Sequence, residues 1–185
     1  MNKNYLKKLY KYDDVKNRYM IEVSLDDYLE LFNAWDAAPI KKKELDPELL
    51  VYLEDVAEDI PMRDDIEVVF VMPEAEKNLE MEEISKQVFR NYFNYLINLN
   101  RRTMSRSWKL SIYYFITSFI FVGLAYLLQF KTTLFIEILS EGLFIGGWVF
   151  MWEAISILVF KTSSVRRQSK RYLRYAESDI SYEYR

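Results

Sequence analysis

Two uninterrupted apolar runs constrain this chain more than any other feature. Residues 110–128 (LSIYYFITSFIFVGLAYLL) hold 19 residues without a charge, and residues 142–160 (GLFIGGWVFMWEAISILVF) hold 19 with Glu153 as the one ionisable group. A helix needs roughly 20 apolar residues to cross about 30 Å of hydrocarbon. Each run therefore predicts a membrane-spanning helix with little tilt. Buried helices of soluble proteins are shorter and carry more polar residues.

The flanking charges give an orientation. Arg101, Arg102, Arg106 and Lys109 precede the first run; Lys161, Arg166, Arg167, Lys170, Arg171 and Arg174 follow the second. The intervening residues 129–141 hold Lys131 against Glu137 and Glu141. Short loops rich in Lys and Arg stay cytoplasmic. The expectation is a multi-pass protein of the cytoplasmic (inner) membrane with both termini cytoplasmic and a short external hairpin. The start MNKNYLKKLYKYDD has no apolar core, so no cleavable signal is expected.

About a hundred residues precede the first run, enough for a small domain with its own core. The net charge of −3 conceals segregation: residues 44–83 carry fifteen acidic side chains against Arg63 and Lys77, whereas residues 84–185 carry fourteen basic against six acidic. Basic residues beside the spans suit anionic lipid head groups, Arg101, Arg102, Arg106, Lys109, Arg166, Arg167, Lys170 and Arg171 foremost. The acidic block argues against nucleic acid as a partner. With no cysteine and no histidine, the commonest general base and the best thiol nucleophile are missing, and neither a metal site nor another cofactor is expected. The chain does not read as an enzyme.

Residues 1–18 show no clear period and read as an arm or short helix. Residues 19–24 (YMIEVS) alternate as a strand does. Ser24 followed by Asp27 has capping-box spacing, which predicts a helix over residues 25–36 burying Leu25, Tyr28, Leu29, Phe32 and Trp35. Lys41, Lys42 and Lys43 form a solvated run or a contact for a membrane surface or ligand. Asp46 and Pro47 are preferred residues for the cap and first turn of a helix that buries Leu49, Leu53, Val56 and Ile60. Residues 66–72 (IEVVFVM) read as a strand covered on both faces. Between Pro73 and Gly123 no glycine or proline intervenes, so one long helix should leave the domain and enter the first span; the weak helix former MSRS marks a place for a break. A basic helix follows the second span, and the alternating DISYEYR should return as a third strand beside the N-terminal ones. The expected fold is an α+β membrane protein. A cytoplasmic α/β domain of about three strands occupies residues 1–105 and carries a two-helix hairpin. Residues 110–128, 129–141 and 142–160 form the hairpin, and residues 161–185 complete the chain on the cytoplasmic side.

All four glycines, Gly123, Gly142, Gly146 and Gly147, fall at the hairpin, where glycine lets helices approach closely. Gly142 and Gly146 form a GxxxG, and Glu153 lies seven residues beyond Gly146 on nearly the same face. That geometry predicts a carboxyl group turned into the helix–helix contact, with Thr117, Ser118, Tyr113 and Tyr114 supplying hydroxyls at its depth. An acid at that depth is a functional candidate as well as interhelical glue. If the second helix begins near Thr132, Glu137 and Glu141 share a face at the outer mouth, as a solvated helix start or an acidic entrance. Trp148 and Trp152, inside the run, are expected to serve packing.

The stretches SEGLFIGGWVFMWEAISILVF and YMIEVSLDDYLELFNAWD are similar to small, uncharacterised bacterial two-span membrane proteins, a likeness that implies the layout and no activity. The layout also resembles two-span effectors of bacterial phage-defence systems, in architecture and not in motif. Two helices cannot enclose a water-filled path, so conduction requires several copies. The leading expectation is a homo-oligomeric channel or pore controlled by its cytoplasmic domain. The alternative is a non-conducting adaptor or sensor that uses the hairpin as an anchor and recruits a cytoplasmic protein or small ligand. The bilayer and further copies of the chain are the expected partners.

Overall fold

The computed structural model describes residues 3–130 and 133–185. The lone loop cation Lys131 and the helix start near Thr132 lie outside them. The chain is a mixed α+β protein with a four-stranded sheet and two helices long and apolar enough to cross a membrane. It divides into two units: Met1–Asn98 with Ser169–Arg185, and Leu99–Gln168.

The first unit is built on strands β1 (Lys11–Asp13), β2 (Arg18–Ser24), β3 (Asp65–Met72) and β4 (Asp179–Tyr184), ordered β1-β2-β3-β4. Helix α1 (Lys3–Leu9) leads into β1, so residues 1–18 hold a strand as well as the expected short helix. The β1–β2 hairpin turns on Asp13, whose Oδ1 accepts from Val15 N and Lys16 N, and on Asn17 at φ 55°, a conformation that asparagine tolerates. The remaining neighbours are parallel: Ile21 sits opposite Val68, and Val68 opposite Ile180. Parallel strands need long crossovers. The β2–β3 crossover contains α2 (Pro47–Asp59). The β3–β4 crossover contains α3 (Leu79–Leu128), α4 (Leu134–Ser156) and α5 (Thr162–Glu177), so the apolar hairpin is an insertion within a βαβ connection.

Helix α2 starts where the sequence predicts, with Asp46 Oδ1 accepting from Glu48 N and Leu49 N and Pro47 in the first turn. The expected helix over residues 25–36 does not form. Ser24 is still paired in β2 opposite Val71, so the cap moves to Asp27, and only a 3-10 turn, Tyr28–Leu31, follows. Phe32 then bridges Leu45, and Asp46 N donates to the Leu31 carbonyl, which holds the backbone extended. Leu25, Tyr28, Leu31 and Phe32 are buried as a result, while Leu29 and Trp35 are exposed, against expectation.

The core is aromatic. Phe70 of β3 meets Phe89 of α3 and Tyr182 of β4, and Phe93 stacks on Tyr175 of α5 with centroids 5.0 Å apart. Helix α5 also grips α2: Tyr175 Oη donates to the Leu53 carbonyl (2.6 Å), Tyr172 to Glu54, and Arg171 pairs with Glu58. Arg174 donates to the carbonyls of Ile60 and Asp64, and burial pulls its guanidinium below the usual arginine range. Arg171, expected at lipid head groups, is thus held by an acid of α2. Beneath the strand ends, buried Glu67 accepts from Ser181 Oγ (2.8 Å) and Lys16 Nζ, and Arg18 bridges it to Asp179.

Candidate functional site: the apolar hairpin

Helix α3 continues without a break through the MSRS stretch, and α4 begins at Leu134, inside the segment expected as loop. Only 17% of the most apolar window of each long helix is buried by protein, whereas a core helix of a soluble domain is mostly buried. Ile112, Phe115, Ile116, Phe119, Ile120, Ile145 and Val149 all point outward. A contiguous apolar surface of this extent needs an apolar neighbour.

What the hairpin buries is small. Ser111, Ser118 and Ala125 recur every seven residues on α3, and Ser140, Gly147 and Ala154 do so on α4. A seven-residue period keeps one stripe of a helix facing its partner. Three hydroxyl bonds tie the stripes in antiparallel register: Ser111 Oγ donates to the Ala154 carbonyl (2.8 Å), Ser118 Oγ to Gly147 (2.7 Å) and Ser140 Oγ to Ala125 (2.8 Å). Gly147 is required here. A Cβ at this position would lie 2.6 Å from Val122 Cγ2 and 3.2 Å from the Ser118 carbonyl oxygen. Gly146 lies at the edge of the seam, where a Cβ would meet the Phe121 ring at 3.1 Å. Gly142 and Gly123 have no atom within 4 Å of such a Cβ and do not serve this contact.

Glu153 is displaced from its expected place. The sequence spacing puts the GxxxG face at the seam, but the seam runs through Gly147, one residue and about 100° further round. Glu153 is exposed beside buried Ala154, and no side chain among the described residues hydrogen-bonds its carboxyl. The hydroxyls meant for it are engaged or turned away: Ser118 bonds Gly147, Tyr114 stacks on Phe150 (5.9 Å), Tyr113 is exposed, and Thr117 is half-buried. Trp148 and Trp152 face outward too, so neither packs within the hairpin. Helical spacing puts Gly142, Gly146, Val149 and Glu153 on one face that borders the seam at Gly146 and is exposed at Gly142, Val149 and Glu153.

At the other end Thr133 caps α4 with its carbonyl, which accepts from Ile136 N and Glu137 N. Glu137 and Glu141 are both exposed one turn apart. Glu141 also edges a cavity of 340 Å³ with Gln129, Ser140, Tyr126 and Phe144, mostly apolar. Beyond Glu153, a π-turn, Ile157–Lys161, joins α4 to α5. There the Ile157 carbonyl accepts from both the backbone N–H and the hydroxyl of Thr162. Such turns recur at functional sites. Arg101, Arg102, Arg106, Lys109, Arg166, Arg167 and Lys170 are exposed. Among the described residues no group of three or more acids is placed to hold a metal ion.

The small-residue seam was missed in the sequence, although its signal is there: small residues spaced by seven in both apolar runs. The glycines drew attention, and the serines carry the bonds. Comparison with known proteins found no matching family model, no similar curated protein and no similar solved structure.

Proposed function

We propose that the chain is a two-span protein of the cytoplasmic membrane, with both termini cytoplasmic, that self-associates into a pore-like assembly controlled by its α/β unit. The observation that carries this reading is the outward carboxyl of Glu153. An acid at the centre of a spanning helix costs roughly 2.5–3.5 kcal/mol on insertion scales. Among the described residues no side chain hydrogen-bonds it, and the three seam serines are committed to backbone carbonyls. A neighbouring copy relieves the cost by enclosing Glu153 in protein or along a shared aqueous axis. The bare backbone at Gly142 on the same face permits close approach of another helix. The exposed acids Glu137 and Glu141 would then ring the outer entrance, and the exposed basic residues flanking the hairpin support the orientation.

The test is the mass of the full chain in lipid nanodiscs together with planar-bilayer recording. The expected result is a closed oligomer with measurable conductance, whose ion preference changes in Glu153→Gln while assembly persists. A monomer without conductance under any condition rejects the proposal. The adaptor reading draws on Trp35, 95% exposed on the α/β unit, as a partner contact. Normal assembly and signalling in Glu153→Gln, with loss of partner recruitment in Trp35→Ala, would favour it.

A further inference from the structure

The α/β unit carries a second feature that conduction does not use. The loop closed by the Phe32–Leu45 bridge lies against α3 and lines a cavity of 460 Å³, within the size range of small-molecule sites. Lys41, Lys42, Lys43 and Glu44 line one side; Val88, Asn91, Tyr92 and Tyr95 line the other. Among the described residues none of the three lysines makes an ion pair, and Glu44 is the one acid on the wall. The loop is built, not merely solvated: Asp36 accepts from Ala38 N (2.8 Å) and Glu44 N (2.9 Å), and a 3-10 turn sets Ile40–Lys42. Those backbone bonds, with the nearby Lys43 charge, hold the Asp36 carboxyl below its usual range. Opposite, Tyr92 and Tyr95 stand one turn apart with ring centroids at 6.3 Å. Burial, then the Glu44 charge, pushes the Tyr92 phenol up, so it stays a hydrogen-bond donor.

We propose that this cavity binds a nucleotide, its phosphates on Lys41–43 and its base against Tyr92 and Tyr95. Three ammonium groups against two carboxylates, Glu44 on the wall and Asp36 near Lys43, leave an excess positive charge that selects an anion. The volume is too large for phosphate alone, and the aromatic wall fits a flat ring. Asn91 adds an amide able both to donate to and to accept from a base edge. The same phosphate chemistry is offered by a lipid head group, but a head group has no planar ring for the tyrosines.

The experiment is calorimetric titration of the full chain in zwitterionic nanodiscs with ATP, adenosine, pyrophosphate, inorganic phosphate and a soluble inositol phosphate as probes. Its readout is independent of conductance and subunit number, so it fails or succeeds apart from the proposed pore. The expected result is saturable ATP binding, about one per chain. It should weaken about tenfold or more in Lys42→Ala/Lys43→Ala and tighten a few-fold in Glu44→Gln. Tyr95→Ala should weaken ATP and leave pyrophosphate unchanged. Lys42, Glu44 and Tyr95 are exposed and Lys43 is half-buried, and unchanged melting would confirm that each variant folds. No saturable ATP binding, undiminished binding in the lysine variant, or weaker binding in Glu44→Gln overturns the proposal. Binding of an inositol phosphate head group without ATP binding also overturns it and assigns the lysines to lipid.

Discussion

In the α/β unit the fully buried positions include Tyr19, Phe70, Phe89, Phe93 and Tyr175, whereas the hairpin buries Ser111, Ser118, Ser140, Gly147 and Ala154 and turns Phe115, Phe119, Phe144, Trp148 and Trp152 outward. The two regions solve opposite problems. Water expels large apolar side chains, so the sheet and its helices gather them inside. In the bilayer proposed for the hairpin that force vanishes between its helices, and what remains is backbone approach plus hydrogen bonds. The hairpin interior is accordingly thin, close and polar at three points.

The widest separation between the regions should come from a large-to-small change at Phe93. Phe93→Ala empties the junction of α3 and α5 and should destabilise the α/β unit by about 3–5 kcal/mol. Hydrogen exchange of β3 amides in the full chain reads this directly, while the hairpin amides should keep their protection. Equal loss in both regions would break the comparison.

A small-to-large change should act in reverse. Gly147→Leu drives a side chain into Val122 and the Ser118 backbone and should cost the hairpin about 1–3 kcal/mol. Gly142→Leu, with open space around it, should leave the hairpin within about 0.5 kcal/mol. Interhelical distances by pulsed spin-label spectroscopy in nanodiscs check the pair; equal splaying in both would mean the seam lies elsewhere.

Removing one hydroxyl tests the glue itself. Ser118→Ala should weaken the hairpin by about 0.6 kcal/mol, and by no more than about 1.7, the range of hydrogen bonds between membrane helices. Steric trapping resolves a change of this size. A loss several times larger would show that the seam depends on its hydroxyls more than on close approach.

The smallest effect concerns pH. Asp36 is held below its ordinary value by the amides of Ala38 and Glu44. A lowered native value means that the carboxylate's contribution is complete above the unfolded value near about 3.9 and disappears as pH falls through the lowered one. The loop holding Lys41–43 should therefore loosen only below about pH 4. Acid titration of the Trp35 indole signal should show this step in the native chain and lack it in Asp36→Asn. The hairpin's spectrum should not follow it.

Local chemistry made several elements legible. Asp46-Pro47 marked the start of α2, the branched run of residues 66–72 marked β3, and the alternation near the C-terminus marked β4. Where two local signals competed, sequence reading failed. Ser24 has capping spacing with Asp27, but its pairing with β3 holds it in the strand, and the Phe32–Leu45 bridge stops the helix a residue after Leu31. Strand β1 is three residues long and owes its pairing to a turn built by Asp13 and Asn17, too short to show a period.

The sequence by itself determined that two long apolar helices exist, that basic residues flank them, and that an acidic group interrupts the second, because length and composition act locally. Only the tertiary structure decided which stripe of α4 meets α3, and so that Glu153 looks outward while three serines look in. A helix presents every face equally until a partner selects one, and a shift of a single residue turns the selected face by about 100°.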